Sequence, residues 1–177
     1  MSIINEKSAV KMTGYIKDTI HHLDSGEVEV REGHNLVVTS FTKLVMALLG
    51  RTTGQKGASY WAVGSGSSTW DDNPVQPILS ETKLTSELGR KEIPADAFAF
   101  LDADGNKVSE PTNRLQITLS FGSADCNGEW REFGIFGGDA TSAMNTGIMI
   151  NKRHHAVLTK TQDMVVERVM IFTLTLA

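Results

Sequence analysis

Five groups of residues in this chain have types that could do chemistry, and their spacing decides whether they can. The run Gly64-Ser65-Gly66-Ser67-Ser68-Thr69 has the small residues of a loop whose backbone N–H groups cradle a phosphate. It lacks the third glycine of the dinucleotide fingerprint, and no Gly-Lys-Ser/Thr follows, so it reads as a strand-to-loop turn. Asp102-Ala103-Asp104-Gly105-Asn106 offers the oxygen donors of a calcium loop, with Glu110 a few residues on. Its glycine stands two positions early for an EF-hand, whereas Asp104-Gly105 suits a tight hairpin turn. His21-His22 and His154-His155 could donate imidazole nitrogens to a metal, but neighbours on a strand point to opposite faces, so neither pair chelates alone. His34 stands by itself. Asp71-Asp72 lie in a polar loop, where carboxylates keep ordinary pKa values and make poor general acids. No nucleophile elbow, no His-Glu-x-x-His and no catalytic cysteine setting is present. The expectation is a protein without catalysis, cofactor or metal.

Composition points the same way. The 177 residues are 40% hydrophobic and fit one domain, or one domain with a short appendage. The formal charge of −4 includes no basic block, so nothing supplies the phosphate attraction on which nucleic-acid affinity depends. Cys126 is the only cysteine, which rules out an intramolecular disulfide and suits a reducing compartment. The amino-terminal residues lack the apolar stretch of a secretory signal, and no later run is long enough to span a bilayer as a helix. A soluble protein made in the cytoplasm, with no nucleic-acid or membrane partner, is expected.

The elements that would position these residues are mostly strands. Val10, Met12, Ile16 and Ile20 share one parity and Lys11, Thr13, Lys17 and Thr19 the other, which is the period of a half-buried strand. Asp24-Ser25-Gly26 turns into Glu27–Arg31, giving an amino-terminal hairpin. Phe41, Leu44, Val45, Leu48 and Leu49 fall on one helical stripe, with Ser40 as N-cap and Gly50 as the residue after the end. Tyr60–Val63 is a short strand entering the Gly64–Pro77 loop. Leu79–Ile93 is ambiguous between helix and strand. Ala97–Leu101 and the stretch from Lys107 are arms about Asp104-Gly105. Arg114–Phe121 alternates cleanly, with Leu115, Ile117, Leu119 and Phe121 inward. A short glycine turn later comes Trp130–Phe136, so these two should pair as an antiparallel hairpin. Gly147–Asn151 and Met164–Leu176 are closing strands. The pattern predicts a mainly β protein, an antiparallel β-sandwich with one short α-helix at about residues 40–49. A barrel is the nearest competitor.

The run Asn127-Gly128-Glu129-Trp130-Arg131-Glu132-Phe133-Gly134-Ile135-Phe136-Gly137-Gly138 sets an Arg-Glu pair inside an aromatic strand. A desolvated charge costs several kcal/mol unless paired, so Arg131 and Glu132 should point to opposite faces, each meeting a partner. Trp130, Phe133, Ile135 and Phe136 are expected in the core. Glu87, Arg90, Arg131 and Glu132 are expected to form an ion-pair network that fixes strand register. Trp61 should be core, leaving Trp70 as the exposed anchor of the loop.

Taken in order, Tyr60-Trp61-Ala62-Val63-Gly64-Ser65-Gly66, Leu84-Thr85-Ser86-Glu87-Leu88-Gly89-Arg90, Gly128–Phe136 and the late Lys160 before a terminal apolar strand resemble the tail-collar fibre family of bacteriophages and prophages. The resemblance covers about residues 59–177, with residues 1–58 as a preceding hairpin and helix that pack on it or exchange between subunits. It implies a virion structural protein, assembled in the host cytoplasm as a trimer or hexamer, with other virion proteins as partners. Since the chain stops at Ala177 without shaft repeats, it implies a stand-alone adaptor or hub at the baseplate, collar or neck. Trp70, Asp71, Asp72, Ser67 and Ser68 are the expected partner contacts. The alternatives are a capsid decoration protein, or a carbohydrate-binding β-sandwich that uses Trp70 for receptor attachment.

Overall fold

The structure, a computed structural model, describes residues 9–176. Its strands are β1 (Val10–His22), β2 (Val28–Val37), β3 (Lys56–Gly64), β4 (Glu87–Glu92), β5 (Phe98–Leu101), β6 (Lys107–Val108), β7 (Arg114–Phe121), β8 (Gly128–Gly138), β9 (Ile148–Lys160) and β10 (Met164–Leu176). One helix, α1 (Ser40–Leu49), follows β2. The strands hydrogen-bond in the order β4-β3-β8-β9-β2-β1-β10-β7-β5-β6, with each pair antiparallel.

The sheet folds back on itself at β2. That strand pairs with β1 from Gly14 to His21, but with β9 only through Leu36 and Val37. The two halves therefore face each other and bury one core. Ile16, Ile20, Ile117, Phe121 and Met170 come from one layer, and Trp61, Trp130, Phe133, Ile135 and Leu158 from the other. This is the antiparallel sandwich with a single short helix that the alternation predicts.

The amino-terminal hairpin is paired within its own chain. β1 is central, matched residue for residue to β10 from Val10↔Leu176 to His22↔Met164, so residues before and after position 58 build the same core. The hairpin turn is made at Gly26, whose φ of 71° is the left-handed conformation a glycine tolerates.

Two local expectations are corrected, and one open stretch is resolved. β7 and β8 do not pair. β7 lies between β10 and β5, while β8 lies between β3 and β9. The link Gly122–Asn127 crosses from one layer to the other, because both strands carry an apolar face and those faces pack against each other. Phe121 meets Trp130 edge-on, with ring centroids 5.2 Å apart. The helix cap is also displaced. Thr39 occupies the N-cap and makes no side-chain cap bond, while the Ser40 hydroxyl donates to the Met149 carbonyl at 2.6 Å and fastens α1 to β9. Gly50 keeps right-handed backbone, and the positive φ falls on Arg51. Within the apolar stripe only Leu44 is fully buried, whereas Leu48 and Leu49 are exposed. Finally, Leu79–Ser86 is irregular, and the extended path begins only at β4. Leu84 is buried and Leu88 is exposed.

Candidate functional site

The segment between β3 and β4, expected to reach outward to a partner, is instead folded onto β8 and β9. Ser67 caps the short helical turn Ser68–Trp70, accepting from the Thr69 N–H. The turn drives Trp70 inward until it is only 8% exposed, stacked on His154 with ring centroids 3.9 Å apart. Gly66 makes this possible. Its φ is 54°, and a methyl group there would lie 2.4 Å from the Trp70 ring. Asp71 forms an ion pair with Arg131, and the neighbouring carboxylate holds that guanidinium above its ordinary pKa. Of the five residues expected to contact a partner, Ser68 and Asp72 remain exposed; Trp70 is not an exposed anchor.

Arg131 and Glu132 each find a partner, but both reach the same irregular segment. A register shift between β8 and β9 at this point breaks the alternation that would have turned them apart. Arg131 binds Asp71, Glu129 and the Ser65 carbonyl. Glu132, fully buried, accepts from the Thr85 N–H at 3.0 Å and the Ser86 N–H at 2.7 Å, and lies 3.1 Å from Lys152. A carboxylate that takes two backbone donors and an ammonium is fully satisfied, which is the condition for burying it without large cost.

Glu87 and Arg90 form a separate pair rather than one network with Arg131 and Glu132. The guanidinium meets both carboxylate oxygens, at 2.6 and 2.9 Å, and stacks 4.7 Å from the Phe136 ring centroid. Arg90 also donates to the Thr141 and Thr146 carbonyls, and Glu87 accepts from the Asn145 N–H. The pair thus holds the loop between β8 and β9. Trp130, Phe133, Ile135 and Phe136 are all buried. Lys160, also buried, donates to the Gly122 carbonyl and the Asn127 side chain, both at 2.7 Å, and so pins the link that crosses between layers. Burial pulls its pKa down.

Sequence reasoning missed the polar pair inside the core. Asp18 of β1 and Arg168 of β10 are buried between the layers, the guanidinium lying over the rings of Phe133 and Trp130. Parity could have found them, since Asp18 alternates in phase with Ile16 and Ile20, and Arg168 with Val166 and Met170. Among the described residues the buried carboxylates Asp18, Glu87 and Glu132 each face a cation, and no group of three or more His, Cys, Asp or Glu is placed to hold a metal ion. No helix among them is long and apolar enough to cross a membrane.

No family model, curated protein or solved structure matches this chain.

One surface remains unsatisfied. Between α1 and the outer ends of β1 and β10 runs an apolar groove of about 610 Å³, lined by Met12, Val37, Phe41, Val45, Leu79 and Leu174 among others, with Lys11 the single charged residue among the described residues that line it. Its surroundings are apolar and open: Val10 is 64% exposed, Met46 65%, Leu49 73% and Leu176 79%. Strand pairing stops here too. β2 pairs with β1 only from Gly14 onward, and on the other side β10 is held through Thr173 by β7 and at Leu174 by Asn113, leaving Val10–Met12 and Thr175–Leu176 as the end of a two-stranded ribbon. Such a ribbon is marginally stable alone, and clustered exposed apolar residues mark an interaction site.

Proposed function

We propose that this chain is a bacteriophage or prophage virion structural protein, an adaptor or hub that joins tail, baseplate, collar or fibre components through protein contacts. The observation that carries the reading is the apolar groove beside the β1–β10 ribbon, because among the described residues it has no occupant. The order of the four motifs from Tyr60 to Lys160 supports the virion assignment. The buried ion pairs support a scaffold role: they clamp loops and strands instead of standing free as acids, bases or nucleophiles.

The occupant is a second copy of the chain, in a trimer or hexamer. A face with one charged residue among those described is matched by another apolar face, and rotational symmetry presents this face on each subunit. Sedimentation and native mass spectrometry of the purified protein should give a closed oligomer at micromolar concentration, and purified particles should contain the chain. A monomer at every concentration that is also absent from particles would overturn the reading.

A further inference from the structure

The sandwich has an open mouth on the side where β2 and β9 diverge. Beyond Leu36↔Lys152 the two strands make no ladder, and side chains span the gap. Arg31 donates to the Val157 carbonyl and Arg153 to the Glu32 carbonyl, both at 3.1 Å. A cleft of about 440 Å³ lies behind them and continues, past Arg153 and His155, into a second of about 340 Å³.

Asp18, Glu29 and Glu32 line the cleft with Arg31 and Arg153, and all but one of the cations described around it have a carboxylate partner. Arg31 is paired with Glu29, Arg168 with Asp18, and Lys152 with Glu132 and Glu81. Arg153 differs: among the described residues no carboxylate lies within 4.0 Å of it, and of its five N–H donors only one is engaged. Its guanidinium lies flat on Gly33, where a methyl group would come within 2.4 Å, so the backbone there is shaped to admit it. Burial lowers the Arg153 pKa, as is usual for a cation short of an anion.

Unpaired polar atoms gather at the same place. Both amide atoms of Asn35 are buried without a partner, and so is His155 Nε2. His155 Nδ1 donates to the Ala156 carbonyl at 2.7 Å, which leaves Nε2 as a hydrogen-bond acceptor. Buried polar groups without partners are uncommon, and three such atoms in the lining beside a guanidinium that has no carboxylate within 4.0 Å among the described residues describe a ligand's complement: an anion for the arginine, with a donor beside it for the imidazole.

We propose that this cleft binds a carboxylate that carries an O–H or N–H donor next to it, with Arg153 pairing to the carboxylate, Asn35 Nδ2 donating to it and His155 Nε2 accepting from the neighbouring donor. Two sources share that chemistry, a free hydroxy acid and an acidic residue within a polypeptide. The site has no residue in common with the apolar groove, so it stands or falls independently of self-association.

The test is amide NMR and thermal melting of the full chain, titrated at constant ionic strength with L-malate in one arm and with N-acetyl-aspartate amide in the other. Saturable shifts at Arg153, His155 and Asn35, with Kd of about 1 mM or tighter, are expected in at least one arm. Binding of malate alone assigns a free acid, and binding of the blocked aspartate alone assigns a polypeptide. Arg153→Gln should weaken binding by at least about tenfold, and Arg153→Lys should restore part of it, because a bidentate charge-assisted contact is lost in the first and a single charge returns in the second. Both variants must melt as the parent does; should Arg153→Gln unfold, His155→Phe replaces it, and it should lose the donor contact and the preference for malate over acetate. Absence of saturable shifts in both arms, or equal binding by Arg153→Gln, would overturn the proposal.

Discussion

Asp18 and Arg168 stand directly opposite each other on β1 and β10, joined by two parallel hydrogen bonds of 2.9 Å each within the sandwich core. The geometry is that of a bidentate pair, and Arg168 Nη1 is left without a partner. Removing one member leaves the other charge buried. Asp18→Asn or Arg168→Met alone should cost about 3–5 kcal/mol, whereas the double variant Asp18→Leu with Arg168→Met should cost far less. Urea unfolding of the three variants measures this. Equal destabilisation in the single and double variants would show that the pair is not coupled.

Glu132 gathers the segment before β4 onto β8, so Glu132→Gln should loosen residues 65–86 before the rest of the chain. The lost charge also leaves Lys152 with Glu81 as its remaining carboxylate partner, for a combined cost of about 2 kcal/mol. Hydrogen exchange should rise first at Thr85 and Ser86, whose N–H groups the carboxylate holds.

At Gly66 a side chain meets both a left-handed backbone and the Trp70 ring. Gly66→Ala should cost about 1–3 kcal/mol and push Trp70 off His154. The measurable sign is a red-shifted tryptophan emission with no change in far-ultraviolet dichroism.

Acid should destabilise the fold earlier than its carboxylates require. Burial, aided by the positive charge of Arg168, pushes His155 down to about 3, and burial also lowers His154. Between the ordinary histidine value near 6.5 and about 3, the unfolded chain takes up a proton that the folded one refuses. Stability therefore falls as pH drops through that window, by up to about 1.4 kcal/mol per pH unit for His155. His155→Gln should flatten the slope of melting temperature against pH, and an unchanged slope would assign it to other groups.

Self-association is tested by charge. Met46→Glu, Leu49→Glu and Leu174→Glu each put a carboxylate into the apolar face at positions exposed in the single chain. Each should raise the dissociation constant by about thirtyfold or more, with the melting temperature of the monomer unchanged. Sedimentation velocity across a concentration series reads both species.

What was legible in the sequence follows from how local each signal is. β1, β2, α1 and β7 were readable because periodicity and turn residues lie within the element itself. The pairing of β7 was not. A short glycine link between two amphipathic strands is compatible with a hairpin in one layer or with a crossing between layers, and only the contact of Phe121 with Trp130 separates the two. Trp70 was misplaced for a similar reason: nothing in a Gly/Ser/Asp loop reveals that His154, far along the chain, offers a ring to stack on. The partners of Arg131 and Glu132 were anticipated in kind but not in place, because the register shift beside Trp130 has no signature in residue type.

The match of β1 to β10 along their whole described lengths also sets a timetable. On the ribosome, β1 leaves the exit tunnel long before its neighbour is synthesised. At ordinary elongation speeds that wait is on the order of ten seconds or more. The core cannot close in that interval, since Ile16, Ile20 and Asp18 face strands that do not yet exist. The decisive folding step therefore waits for β10 to be made, and until then the apolar face of β1 stays without the strand that completes its layer.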